Sequence, residues 1–194
     1  MKQRLLLLTL IPFLFSACNT THQRVAKVVD SEVEGIEYQC SGLIGYTDKN
    51  GTLTCSHMPL AFKIGEIRLG RIYEIPEDGI ILPQDIVNVD RSDVNNTDVI
   101  KVLTILQTLD KDKNPENGIT ITKETRDKLS DVIINVKKEN LENIKEIITA
   151  QIGDINFTKP QKSIIHLNRS MRKYNIKESK VVPKIDIEQL TIFN

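Results

Sequence analysis

Residues 102–118, VLTILQTLDKDKNPENG, begin as an apolar helix and end in a loop of acidic and amide side chains. The apolar residues here and just before recur at the three- and four-residue spacing of an amphipathic helix. They are Val99, Val102, Leu103, Leu106 and Leu109. Ile100 and Ile105 widen the apolar face. We therefore predict a helix over 97–109, capped by Asn96, that is buried on more than one side and forms the centre of the core.

Residues 31–85, which precede this helix, alternate apolar and polar side chains in short runs typical of β-strands. Two such runs meet at Gly65 and predict a hairpin. Residues 48–51 predict a turn rather than a cation site, because Asn50 and Gly51 tolerate positive φ and Asp48 can bond the following backbone. An edge strand over 80–82 would end at Pro83. Several short strands with frequent turns indicate a small sandwich.

The residues after the acidic loop favour helices. We predict one capped by Thr122 and running to about Ile133, one over 138–150 stopped by Gly153, and one over 161–173 with Ile164, Ile165, Leu167 and Met171 on its apolar face. The predicted fold is α+β, a small disulfide-pinned β-sandwich packed against a bundle of three to four helices. Its parts are 30–90 (β), 91–174 (helical) and 175–194 (a tail or edge strand). The β part is too small to bury much apolar surface alone, so both parts should share one core.

The N-terminus carries an export signal. Lys2 and Arg4 precede an apolar run over 5–15 that is too short to span a bilayer. Small residues then lead to Cys18, and this order resembles the lipobox of bacterial lipoproteins. The resemblance implies a signal peptide over 1–17, acyl chains attached at Cys18, and a tether over 18–29. An ordinary secretory signal with an incidental cysteine is the alternative. The expected location is the cell envelope, at the outer membrane.

Cys40 and Cys55 remain once Cys18 is lipidated. Two cysteines in an exported chain predict a disulfide, which would close a loop of about 15 residues. A zinc site formed by these cysteines and His57 is the competing interpretation, but a fourth ligand at recognisable spacing is missing.

Charge and composition exclude some partners. The whole chain has no net charge. Tryptophan is absent and aromatic residues are only 5%, which disfavours a carbohydrate or single-stranded nucleic-acid site built on stacked rings. Removing Lys2 and Arg4 from the 26 basic residues leaves 24 against 26 acidic residues, so no basic field exists to hold nucleic acid. The membrane, reached through the lipid, and a protein or surface ligand of unknown identity are the expected partners.

Three spaced motifs occur in the β part: Val33-x-Gly35-x-x-Tyr38, Gly45-x-Thr47-Asp48-x-x-Gly51 and Phe62-x-Ile64-Gly65-x-x-x-Leu69-Gly70. Residues 105–119, ILQTLDKDKNPENGI, follow them. Over about 30–170 the chain resembles a largely uncharacterised module of Gram-negative surface and adhesin-like lipoproteins. The opening half is similar to a carboxypeptidase-regulatory-like or Cna-B-like β-sandwich. The pair His166-Leu167 matches a short helix of that module, whereas Lys113 stands where the module has glycine.

The acidic loop is the strongest candidate for a metal site. Asp110, Asp112, Asn114 and Asn117 present oxygen ligands in the manner of the first half of an EF-hand loop, which predicts weak calcium binding. The match then fails, because Pro115 occupies the position that needs glycine and Ile121 the position that needs glutamate. The favoured interpretation is that these side chains only cap the helix and the loop backbone, with Gly118 at positive φ, and calcium binding is the alternative.

No catalytic motif is present: G-x-S-x-G, H-E-x-x-H, the P-loop and G-x-G-x-x-G are all missing. His166 is expected to be a packed helix residue rather than a base. The chain is therefore predicted to be a non-enzymatic binding or adhesin-like lipoprotein. A periplasm-facing structural or assembly factor and a hydrolase with a scattered site are the alternatives.

Overall fold

A computed structural model describes residues 23–176 of the chain. The predicted signal peptide, the lipidation site at Cys18, the first part of the tether and the C-terminal stretch from 177 onwards lie outside the described residues.

Ten short strands and five α-helices make up the described part of the chain. The strands are β1 (Arg24–Val28), β2 (Val33–Glu34), β3 (Glu37–Cys40), β4 (Leu43–Tyr46), β5 (Thr52–Cys55), β6 (Leu60–Ile64), β7 (Ile67–Ile72), β8 (Ile80–Ile81), β9 (Ile119–Thr120) and β10 (Ile134–Asn135). The helices are α1 (Pro83–Val87), α2 (Thr97–Leu109), α3 (Lys123–Lys128), α4 (Leu141–Ile152) and α5 (Pro160–Lys173), with one 3₁₀ turn at Pro115–Asn117.

The strands form three sheets. One has the order β5-β1-β8, a second β10-β7-β6-β3-β4, and β2 pairs with β9 in the third. The predicted α+β class is therefore confirmed. Strands β9 and β10 come from the later, mainly helical part of the chain but pair with strands of the earlier part. Both parts consequently contribute to a single hydrophobic core.

The predicted disulfide between Cys40 and Cys55 is present, with the two Cα atoms 5.7 Å apart. Cys40 ends β3 in the five-stranded sheet, and Cys55 ends β5 in the three-stranded sheet. The bridge therefore joins two sheets. The zinc alternative is excluded, because both sulfur atoms are bonded to each other and cannot act as thiolate ligands.

The predicted turns follow local side-chain chemistry. Asp48 Oδ1 accepts hydrogen bonds from the backbone N–H groups of Asn50 (2.9 Å) and Thr52 (2.7 Å). Gly51 adopts φ of +72°, where a side chain would be strained. Strands β6 and β7 form the predicted hairpin around Gly65. Strand β8 is an edge strand, and the helix that follows begins at Pro83.

Helix α2 matches its prediction in both position and burial. It spans Thr97–Leu109, and the Asn96 side chain accepts a hydrogen bond from the Asp98 N–H. Its apolar residues Val99, Val102, Leu103, Ile105, Leu106 and Leu109 are all 2% exposed or less. It packs against α5 and α1. Its apolar face is broad because it packs against both of these helices.

Three helix predictions need correction. Thr122 does cap α3, but the helix ends at Lys128 instead of about 133, because Ile134–Asn135 pairs in parallel with β7 as β10. Helix α4 begins at Leu141 instead of 138, since the Asn140 side chain accepts the Asn143 N–H; it stops before Gly153 as predicted. On α5, Ile165 was placed on the apolar face but is 46% exposed, whereas Ile164, Leu167 and Met171 are fully buried.

Among residues 23–176, no helix combines the length and the apolar character needed to cross a bilayer.

Candidate functional site

The loop after α2 is folded around the carboxylates of Asp110 and Asp112. Asp110 accepts hydrogen bonds from the backbone N–H groups of Thr120 and Asn114, both at 2.9 Å. Asp112 accepts one from the Asn114 N–H at 3.0 Å and one from the Asn117 carboxamide at 2.9 Å. All four residues predicted as calcium ligands therefore take part in the loop's own hydrogen bonds.

Asp110 is 1% exposed, and burial raises the pKa of its carboxyl group against the opposing hydrogen bond from the Thr120 N–H. The Lys113 ammonium donates to the Thr108 carbonyl oxygen at the end of α2. Gly118 adopts φ of +108°, as predicted for the loop exit. Within 23–176, no group of three or more His, Cys, Asp or Glu side chains is arranged to hold a metal ion. Backbone capping accounts for this geometry, and calcium binding stays a prediction.

A second polar cluster lies in the interior, where α5 packs on the corner between β1 and β2. His166 Nε2 lies 3.2 Å from the Ser31 hydroxyl and 3.3 Å from the Asp30 carbonyl oxygen. His166 Nδ1 lies 3.4 Å from the Glu116 carboxylate. One turn further along α5, the Ser170 hydroxyl accepts a hydrogen bond from the Ser31 N–H at 2.9 Å. Two consecutive turns of α5 therefore hold this corner.

Asp30 is the buried acid of the cluster. Its carboxylate accepts a hydrogen bond from the Gln107 amide at 2.9 Å and lies 3.7 Å from His166 Nε2. Burial raises the pKa of Asp30 to about 6, because the ionised form has lost its solvation; His166 and Gln107 oppose the shift. Asp30 Oδ1, Gln107 Oε1 and Ser163 Oγ are buried without a hydrogen-bond partner among the described residues. The protonation state of this cluster therefore affects stability.

The end of α5 is bound to the same corner through Glu32. The Tyr174 hydroxyl donates to Glu32 Oε1 at 2.5 Å, and the Lys173 ammonium lies 2.9 Å from the same oxygen. Burial alone would raise the pKa of Glu32, but these two donors outweigh it and hold the pKa at about 2. The ionised Glu32 carboxylate therefore holds the end of α5 against the corner between β1 and β2 over a wide pH range.

The contacts Ser31–His166–Glu116 follow the order of a nucleophile, a base and an orienting acid. Ser31 also has φ of +59°, a strained backbone conformation. Two observations oppose a catalytic interpretation. Ser31 and His166 are only 5% and 4% exposed, and the Ser31 N–H, which an oxyanion would need, already bonds Ser170. The arrangement is better explained as a structural polar network.

Sequence reasoning missed most of this cluster. It treated His166 as a packed helix residue, which the burial confirms, but it did not connect His166 with Asp30 or Ser31. The sequence did contain a sign of this cluster in α2, where the polar residues Thr104, Gln107 and Thr108 interrupt an otherwise apolar helix. Buried polar groups need partners, so these positions predict a polar neighbour in the core.

A third candidate is the outer face of the five-stranded sheet. Cross-strand partners share a face, so strand register defines this surface. One row is Ile44, Gln39, Ala61 and Arg71, and the next is Tyr46, Glu37, Lys63, Arg68 and Asn135. We call these nine residues the outer sheet face. A cleft of about 720 Å³ lies on it, and the loop residues Glu66, Tyr73, Asn88 and Lys137 extend its wall.

The charges in this cleft are unevenly paired. Lys63 lies between two carboxylates, 3.1 Å from Glu37 and 2.6 Å from Glu66. The other three cations of the cleft are exposed and have no ion-pair partner among residues 23–176; they are Arg68, Arg71 and Lys137. The cleft therefore offers free positive charge in a chain whose net charge is zero.

No protein-family model, curated protein or solved structure matches this chain. The resemblances to the lipobox and to the surface lipoprotein module stay predictions.

Proposed function

We propose that the protein is a lipid-anchored, non-enzymatic binding module of the bacterial cell envelope, and that the outer sheet face binds its ligand. The observation that carries this proposal is the cleft with the three cations Arg68, Arg71 and Lys137, which lack partners within 23–176. Its volume of about 720 Å³ lies in the range of small-ligand sites.

The chemistry of the cleft favours an anionic ligand. An arginine guanidinium presents a planar set of donors that matches carboxylate and phosphate groups, and two arginines occur here. The carboxamides of Gln39, Asn88 and Asn135 also line the cleft and suit hydroxyl groups. An oligosaccharide that carries carboxylate or phosphate groups satisfies both sets of donors.

The N-terminal sequence supports the anchor. Lys2, Arg4, the apolar run and Cys18 follow the lipobox order, and several acyl chains would hold the protein on a membrane almost permanently. Metabolic labelling with a palmitate analogue tests this part. Label should be incorporated into the wild-type chain and not into Cys18→Ala.

Binding is tested with the full lipidated chain in detergent micelles, titrated with anionic and neutral oligosaccharides of equal length. We expect binding of the anionic series only, and at least a tenfold loss of affinity in Arg68→Glu. Lys49→Glu makes the same charge change on an exposed turn away from the cleft and serves as the control. Equal affinities for both variants would refute the cleft as the binding surface.

A surface role and an envelope-assembly role place the module on different sides of the outer membrane, so protease accessibility distinguishes them. Protease treatment of intact cells should digest a surface-exposed module without lysis. Full protection until the outer membrane is opened, together with co-purification of a defined envelope complex, would favour the assembly role.

A hydrolase is the second candidate, and only the Ser31–His166–Glu116 contacts favour it. We expect no turnover of generic ester, peptide or glycan substrates. Turnover that disappears in both Ser31→Ala and His166→Gln, while both variants stay folded, would replace the binding proposal.

A further inference from the structure

The N-terminal end of β1 lies at one end of the β-sheets. Arg24 pairs with Cys55, and Val25 pairs with Thr54. Because Cys55 is bonded to Cys40, the end of β3 lies at this same end of the molecule. The chain therefore enters the fold beside the disulfide.

The same register places two further segments here. Cys40 pairs with Leu43 of β4 on one side and with Leu60 of β6 on the other. Leu60 pairs with Ile72, the last residue of β7, so Tyr73 follows directly at this end. The opposite end of the hairpin is the turn at Gly65.

Four large apolar side chains are exposed at the entry end. They are Val25 (62% exposed), Leu43 (71%), Ile44 (62%) and Tyr73 (64%), and we call them the anchor-end patch. The other exposed large apolar side chains of the described residues are Tyr46, Ile133 and Ile165. Leu43 and Ile44 are consecutive in β4 and therefore point to opposite faces of the five-stranded sheet, so the four residues share one end of the sheets rather than one face. Exposed apolar side chains concentrated at one end of a molecule indicate a contact with an apolar partner there.

The chain length between the lipid and the fold limits what this partner can be. Only five residues, 19–23, separate Cys18 from Arg24. A chain of this length spans at most roughly 20 Å when fully extended. A lipid at Cys18 would therefore keep the entry end within that distance of the bilayer surface.

We propose that the anchor-end patch docks on the lipid bilayer that holds Cys18, with its apolar side chains among the headgroups. This rests on the lipid anchor of the proposed function. Tyrosine is enriched at such interfaces because its ring is apolar and its hydroxyl is polar. In this orientation the Gly65 turn points away from the membrane. The cleft wall at Tyr73 then lies next to the headgroups, and the wall at Glu66, beside the Gly65 turn, lies farther from the bilayer.

The contact is apolar rather than electrostatic. Arg24 and Arg71 lie near this end, but the exposed Glu74 and Glu77 that follow Tyr73 carry the opposite charge. Docking should therefore occur on phosphatidylcholine and be insensitive to salt.

Tryptophan fluorescence tests the proposal cleanly, because the chain contains no tryptophan. The full lipidated chain is reconstituted in phosphatidylcholine vesicles with brominated acyl chains, which quench a nearby indole. We expect Leu43→Trp and Tyr73→Trp to lose at least half of their emission. Ile133→Trp is the matched control, since Ile133 is 76% exposed and precedes β10 at the Gly65 end of the sheet. Its emission should be unchanged.

Vesicle flotation is measured first in the same samples. Failure to float would overturn the anchor and the docking together. Flotation with unquenched tryptophan at both patch positions would overturn the docking alone. Equal quenching of Ile133→Trp, or quenching that requires anionic lipid, would also contradict an apolar contact confined to this end. Tyr73→Trp gives an independent reading if Leu43→Trp does not fold.

Discussion

Cys40 and Cys55 end strands of two different sheets, and their disulfide is a covalent link between those sheets, with a Cα separation of 5.7 Å. The sulfur atoms are buried beside the residues at which the chain enters the fold. The bridge therefore restrains both the relative position of the sheets and the start of β1.

The double variant Cys40→Ser with Cys55→Ser is expected to lower the free energy of unfolding by about 3 kcal/mol, because a loop of 15 residues regains its freedom in the unfolded chain. Urea unfolding of the variant and of wild type, each with and without reductant, measures this. Reductant should lower the stability of wild type alone. Alkylation of two thiols in native, unreduced protein would show that the bridge does not form.

Asp30 should make stability depend on pH. Its folded pKa of about 6 lies above the ordinary value of 3.8, so the folded state holds the proton more tightly than the unfolded state. The free energy of unfolding should therefore fall as pH rises from about 4 to 6, by on the order of 2–3 kcal/mol, and stay low above that.

The variant Asp30→Asn removes this titration and should be more stable than wild type at pH 7.5, with a smaller difference at pH 4.5. Urea midpoints across that range measure the effect. Asp154→Asn, a change at an exposed aspartate, should leave the pH dependence as it is in wild type. Parallel curves for Asp30→Asn and wild type would mean that Asp30 is not the titrating group.

Asp110 should act as a backbone cap. Asp110→Ala leaves the N–H groups of Thr120 and Asn114 without their acceptor, and we expect a loss of about 2 kcal/mol in the free energy of unfolding. Millimolar calcium should leave the melting temperature of wild type unchanged. A calcium-dependent rise that Asp112→Ala abolishes would instead establish the predicted calcium site.

The core face of the helices can be tested with two matched truncations. Leu103→Ala in α2 removes a fully buried side chain. It should lower the free energy of unfolding by about 2–5 kcal/mol, the usual range for core leucines. Ile165→Ala in α5 removes a side chain that is 46% exposed and should cost about 1 kcal/mol or less. Thermal or urea unfolding of both variants gives the comparison. Similar losses would show that Ile165 is covered in solution.

The features that sequence alone determined are local ones. The boundaries of α2 were predicted to the residue, because a helical period and an N-cap involve residues within a few positions of each other. The turn at 48–51, the hairpin at Gly65 and the stop at Gly153 are local for the same reason. The disulfide was inferred because only two cysteines remained for pairing in an exported chain.

Tertiary structure alone decided the features that depend on distant segments. Residues 134–135, which lie between two predicted helices and carried no strand prediction of their own, form a strand because β7 offers a free edge. His166 meets Asp30 and Ser31 across more than 130 residues, and the outer sheet face gathers side chains from five strands. Long-range pairing sets these contacts, and periodicity within a short window carries no information about which distant strand or helix will be the partner.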